Sequence, residues 1–280
     1  MLLVLLMGAV VTKTGSGDGC GNSWPLCYGE ILPTAPKLET IIEVSHRFVS
    51  AWLGLLVIIL AIWAWRRDPH RKEIKILAGS AVFFIILQGL LGAAAVIWSQ
   101  SSAVLASHFG FSLVSFASVL LIAILSFEDP NRPFIAKVSP AFKKNIYWLF
   151  AYLYAVVYTG ALVRHTGSSM GCGPEFPLCN GTIFATIGSQ ASIHLLHRIA
   201  AIVLFIWIVY AWHHARKYYS DQKVVTKGFQ FALLFVILQG VSGALIVYSN
   251  LNLFVALGHG LIISFLFGTL SYLALIVYRK

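Results

Sequence analysis

The sequence predicts an all-α integral membrane protein: eight transmembrane helices in two tandem four-helix bundles, related by a pseudo-two-fold axis along the membrane normal. Three observations predict it. The chain is 59% hydrophobic and 11% charged, and most of its apolar runs reach the ~20 residues that cross a bilayer core. Basic residues crowd into alternate loops. A segment of the first half also recurs in the second: GAVVTKTGSGDGCGNSWPLC (8–27) matches GALVRHTGSSMGCGPEFPLC (160–179) at twelve of twenty positions without a gap, and LQGLLGA (87–93) matches LQGVSGA (238–244). An even number of spans per repeat puts both halves in the same orientation.

The spans are expected at 1–12, 41–65, 74–98, 104–126, 146–164, 191–212, 228–249 and 254–278. The first run is short. It lacks the basic flank and small-residue cleavage site of a signal peptide. Its repeat partner near Tyr147–Val163 is longer, so it reads as a span whose beginning is missing. Trp63, Trp65, Trp148, Trp207 and Trp212 fall near the inner ends of later spans, and Trp98 near an outer end, as in an aromatic belt.

Charge sets the topology. Arg66, Arg67, Arg71, Lys72 and Lys75 share one loop; Arg132, Lys137, Lys143 and Lys144 a second; Arg216, Lys217, Lys223 and Lys227 a third; Arg279 and Lys280 close the chain. Outer loops hold little beyond Lys13 and Lys37. By the positive-inside rule, the basic loops and C-terminus are cytoplasmic. The net charge of +10 therefore reflects topology. The partner it implies is the lipid bilayer, and no nucleic-acid module is present. His70, His213 and His214 lie in the basic loops and are expected to be solvated; His165 aligns with Lys13 and is expected at the interface.

Four other histidines fall on apolar spans. His46 and His108 are 62 positions apart, and His197 and His259 repeat the pair 151 positions later. A histidine within a membrane is costly without a partner or a task. Each begins an even-numbered span, so at ~1.5 Å rise per residue the members of a pair lie at similar depth. Facing imidazoles in a helix bundle can ligate haem iron axially. For one such histidine an interhelical hydrogen bond is the simpler reading; four at matched spacing favour two haem sites. Zinc or copper would more typically recruit further Cys, His or carboxylate ligands, and no Cys-x-x-Cys-His marks covalent attachment. Gly89, Gly92, Gly240 and Gly243 would admit helices or a flat macrocycle. Gln88 and Gln239 read as interhelical hydrogen-bonding residues. Arg47 and Arg198 each follow a candidate ligand, and either pair with haem propionates or snorkel outward.

The halves differ at one position. Glu43 lies three residues before His46, on the same helix face; its counterpart is His194. A carboxylate beside a haem edge can accept protons or stabilise developing positive charge. Equally, Thr40-Ile41-Ile42-Glu43 has the form of a capping box. Cys20 and Cys27, like Cys172 and Cys179, are separated by six residues in outer loops. A disulfide closing each loop and a redox-active pair are both open readings.

Together the repeated Thr-Gly-Ser…Cys…Pro-Leu-Cys loops, Glu43-Val44-Ser45-His46-Arg47, His108, His197-Arg198 and His259 resemble the haem A synthase family of the bacterial CtaA type, over essentially the whole chain. The resemblance implies an eight-helix oxidoreductase of the bacterial cell membrane. It would oxidise a methyl group of haem O to the formyl group of haem A by successive hydroxylations, for haem–copper terminal oxidases. The N-terminal half (1–130) would hold the substrate haem on His46 and His108. The C-terminal half (131–280) would hold a resident haem b on His197 and His259. Glu43 would match the family's carboxylate near the reacting methyl, and Cys20 and Cys27 its outer-loop pair. Haem O synthase and terminal-oxidase assembly factors are the implied partners, and a homo-oligomer is compatible with the pattern. The alternative is a membrane dihaem b electron-transfer protein with two equivalent bis-histidine sites. A transporter would need helices broken at the midplane, and none is evident.

Overall fold

The computed structural model describes residues 1–98, 101–129 and 133–279. Arg132 and Lys280 lie outside the described residues. The described chain forms eight α-helices: α1 (Leu2–Lys13), α2 (Leu38–Arg67), α3 (Lys72–Ile97), α4 (Ser102–Ser126), α5 (Pro140–His165), α6 (Gln190–Tyr218), α7 (Lys223–Tyr248) and α8 (Leu253–Tyr278). Among the described residues the only β-type pairing is two isolated bridges, Cys27 with Glu30 and Cys179 with Thr182. Helices α2 to α8 are long and apolar enough to cross a membrane, while α1 has twelve residues. The chain is accordingly a multi-pass membrane protein.

Several helices overrun the expected spans on their basic side. Helix α5 starts at Pro140 rather than 146, and α6 continues to Tyr218 rather than 212. Hydropathy ends at the bilayer surface, but backbone hydrogen bonding need not. Ser139 caps α5 by accepting the Phe142 N–H, with Pro140 in the first turn. Arg216 and Lys217 favour the carbonyl end of α6. Arg67 lies over Trp63, Lys75 over Trp65 and Arg216 over Trp212, at 5.3, 5.7 and 5.0 Å from the ring centroids. These pairings suit a belt where indoles meet cations. His214 departs from its expectation. It stacks on Phe142 at 4.7 Å and meets Tyr218 at 4.6 Å, because the overrun of α6 carries it against the start of α5. His70 and His213 are exposed as expected.

The chain divides into two compact units, Met1–Phe127 and Glu128–Lys280. In each, every helix packs on its sequence neighbour and the first on the last: α1 on α4 in one unit, α5 on α8 in the other. In the first unit α4 also touches α2, so it meets all three of the other helices there. In lipid, close packing and buried hydrogen bonds hold helices together, because the solvent is as apolar as leucine. Ser80 and Ser118 join α3 to α4 through a 3.0 Å hydroxyl contact. In the second unit, Arg279 at the end of α8 forms two 2.7 Å bonds to the Glu128 carboxylate.

Candidate functional site

The repeated outer loops follow the same construction. Thr14 and Thr166 end α1 and α5, and Gly15 and Gly167 then turn in the left-handed region at φ 69°, where a side chain would be strained. Thr14 and Ser16 lie 2.6 Å apart through their hydroxyls, and Thr166 and Ser168 2.7 Å. The Thr-Gly-Ser motif is thus a helix-termination device. Both cysteine pairs are disulfides, Cys20–Cys27 and Cys172–Cys179.

Each disulfide loop is latched to the following helix. Glu43 is buried at 3% exposure. Its Oε2 accepts the Cys20 N–H at 2.8 Å, and its Oε1 pairs with Arg47. Arg47 Nη1 donates to the carbonyls of Ser23, Pro25 and Leu26. In the second unit His194 takes the place of Glu43: its Nδ1 accepts the Cys172 N–H at 3.2 Å, and Arg198 Nε lies 3.3 Å from its Nε2. Arg198 donates to the carbonyls of Glu175, Leu178 and Gly173. Glu43 and His194 therefore do the same structural work despite opposite chemistry.

The capping-box reading of Thr40 and Glu43 is overturned. Helix α2 begins at Leu38 without a side-chain cap. Thr40 donates to the Gly19 carbonyl at 2.7 Å, and Glu43 holds the Cys20 amide. Both polar side chains serve the folded-back loop, which sequence periodicity does not locate. Gly19 makes that approach possible, since a Cβ there would meet Glu39 backbone at 2.6 Å.

Deeper in each unit, all four candidate ligands pack on a glycine of the preceding helix. A Cβ on Gly8 would lie 3.2 Å from His46 Cε1, and one on Gly92 3.6 Å from His108 Cε1. Gly160 faces His197 at 2.9 Å and Gly243 faces His259 at 3.4 Å. Gly8 and Gly160 were not among the expected glycines, although each opens the repeated segment. Gly89 and Gly240, which were, face open space.

Comparisons with known proteins cover essentially the whole chain. Residues 1–271 match the COX15-CtaA family model, described as cytochrome oxidase assembly protein. A protein named heme A synthase from Geobacillus kaustophilus (strain HTA426) is 50% identical over 100% of this chain and 88% of its own length. Proteins of the same name from Halalkalibacterium halodurans and Alkalihalophilus pseudofirmus are each 48% identical over 100% of this chain and 94% of theirs. The chain belongs to the COX15-CtaA family.

The four candidate histidines of this COX15-CtaA chain lie on α2, α4, α6 and α8. Among the described residues no three His, Cys, Asp or Glu side chains gather to hold a metal ion. In the first unit His46 Nδ1 and, one turn on, Ser50 Oγ are buried without a hydrogen-bond partner. Such groups typically cost ~1–3 kcal/mol each. A polar ligand edge would relieve them.

The units differ around the rings in ways the sequence reading did not anticipate. Thr159 contacts His197 Nδ1 at 2.9 Å, and Ser242 contacts His259 Nδ1 at 2.9 Å. Gln239 Nε2 lies 2.9 Å from His259 Nε2, an interhelical contact between α7 and α8 as expected, made to the ring itself. Its counterpart Gln88 donates instead to the His108 backbone carbonyl, at 2.9 Å, and accepts from Ser112 at 2.7 Å. Ser112 aligns with Ile263 in the second unit, which explains why only Gln88 is held back from the ring. The available signal was the mismatch of Leu91 with Ser242 inside the 87–93 and 238–244 segments and of Met7 with Thr159 just before the 8–27 and 160–179 segments.

Proposed function

We propose that this chain is a haem A synthase that oxidises a methyl group of haem O to a formyl group by successive hydroxylations. The product would supply haem–copper terminal oxidases. The single observation that carries the reading is a duplicated set of glycine-backed histidines with a carboxylate, Glu43, in only one copy. The names of the relatives support the same reaction.

In this reading the N-terminal unit binds haem O between His46 and His108, and the C-terminal unit keeps a haem b between His197 and His259. The bound iron supplies redox chemistry at the porphyrin edge. The protein supplies placement. Gly8, Gly92, Gly160 and Gly243 leave room for the imidazoles at helix contacts. Glu43 sits one turn from His46 with a fixed carboxylate, positioned to take a proton or stabilise positive charge on the reacting carbon. It also holds the Cys20 loop. Arg47 and Arg198 draw loop carbonyls together beside each site, and their remaining donor capacity suits propionates. The sequence repeat and alternating basic loops support two four-helix bundles with the same orientation in a bacterial cell membrane, cysteine loops outside. Haem O synthase would deliver the substrate, and oxidase assembly factors would receive the product.

Glu43→Gln tests the assignment. Glutamine still accepts the Cys20 N–H through its carbonyl oxygen, so loop closure and haem binding are expected to survive while haem A formation falls sharply. Extracted pigments, identified by mass from cells with and without a haem O supply, provide the readout. Full haem A formation by the variant removes the proposed role of Glu43. The matched glycine–histidine pairs of the two units favour the second reading, a dihaem b electron-transfer protein. Two unmodified haem b molecules and no conversion of haem O would establish that instead.

A further inference from the structure

The residue before each ring-facing glycine separates the two units. In the C-terminal unit these residues are Thr159, before Gly160, and Ser242, before Gly243; in the N-terminal unit they are Met7, before Gly8, and Leu91, before Gly92. Hydroxyls thus occur at both positions of one unit and at neither of the other.

The hydrogen bonds assign direction. A hydroxyl has one hydrogen to donate. Thr159 has the Val156 carbonyl at 2.8 Å, and Ser242 has the Gln239 carbonyl at 3.1 Å. With the hydrogen given to that carbonyl, the hydroxyl oxygen accepts from Nδ1–H of the imidazole. Each ring then carries its proton on Nδ1 and a lone pair on Nε2. Gln239 Nε2, 2.9 Å from His259 Nε2, is a donor matched to the same tautomer. In the N-terminal unit Met7 offers no hydroxyl, and His46 Nδ1 is buried without a hydrogen-bond partner.

We propose that Thr159 and Ser242 are positioning residues that lock His197 and His259 with an Nε2 lone pair for iron, at His259 the lone pair that Gln239 now meets, making the C-terminal haem a permanent fixture, while Met7 leaves His46 without that lock and the N-terminal haem exchangeable. This rests on the division of haems given above. An imidazole whose Nδ1–H is held is both pre-oriented and more electron-rich, hence a stronger ligand. Such a ligand suits a resident cofactor. A substrate haem must enter and leave as product, and tight axial anchoring would oppose turnover.

The test follows haem transfer from the full chain, purified in detergent with its haems, to excess apomyoglobin. Thr159→Val combined with Ser242→Ala is expected to release haem b about 10- to 100-fold faster. The same variant is expected to raise the haem b midpoint potential, because the weakened donor favours ferric iron less. Thr159→Ser keeps the hydroxyl and is expected to match the parent chain. In the opposite direction, Met7→Thr is expected to slow haem release from the N-terminal unit. A folded double variant with unchanged release and unchanged potential overturns the proposal. If the double variant does not fold, Met7→Thr decides, and unslowed release overturns it. His197→Ala and His259→Ala distinguish the underlying reading. Full haem b retention in both means the resident-haem assignment itself is wrong. Haem loss there, with none in the hydroxyl variants, removes only the positioning role.

Discussion

At His197 the ring sits so close to α5 that a single methyl group on Gly160 would lie 2.9 Å from Cε1. Neither the helix backbone nor the ring's hydrogen-bonded side can yield easily. Gly160→Ala is therefore expected to displace the imidazole and lower haem b per chain several-fold, as read by the absorbance of the extracted haem. Gly240→Ala is the control. Its Cβ would meet nothing within 4 Å, and alanine is the better helix former, so haem content is expected to hold. Equal loss in both variants would mean that ring clearance is not what Gly160 provides. Glu43 illustrates the same scale differently: one carboxylate carries both a loop contact and a proposed chemical task, and glutamine separates them.

The outer loops are the elements most dependent on a few polar contacts. Each is closed by a disulfide, pinned by the side chain at position 43 or 194, and drawn in by an arginine that bonds three carbonyls. Hydrogen bonds to charged groups contribute ~1.5–3 kcal/mol. Arg47→Ala is expected to loosen the segment 14–37 without unfolding α2, raising its hydrogen exchange and its cleavage by added protease. Arg198→Ala is expected to do the same for 166–189. Unchanged exchange in both loops would show that the disulfides alone maintain closure. The helices themselves need less help, since their apolar faces and basic ends suit the bilayer and its surface.

For the whole molecule, topology is the property most directly open to test. A reporter active only outside the cell membrane, inserted after Phe184 in the second disulfide loop, is expected to be active. The same reporter inserted after Tyr219, between α6 and α7, is expected to be silent. The reverse result would invert the orientation inferred from the basic loops. Insertion after Leu32 and after Asp68 should repeat the outer and inner results.

How much of this was legible in advance depended on the range of the forces involved. Apolar runs revealed α2 to α8, because crossing a bilayer is a demand on consecutive residues. Matched spacing singled out His46, His108, His197 and His259 as candidates, because duplication leaves a linear trace. Charge alternation predicted the sidedness of the loops. Only tertiary structure decided what lies across from each side chain. The partnership of Glu43 with the Cys20 amide, the glycines behind the four rings and the hydroxyls at Thr159 and Ser242 all join different segments. Helical periodicity describes which face a residue occupies, but hydrogen bonds and ring contacts act over about 3–4 Å, and which groups come that close is set by packing between segments far apart in the chain.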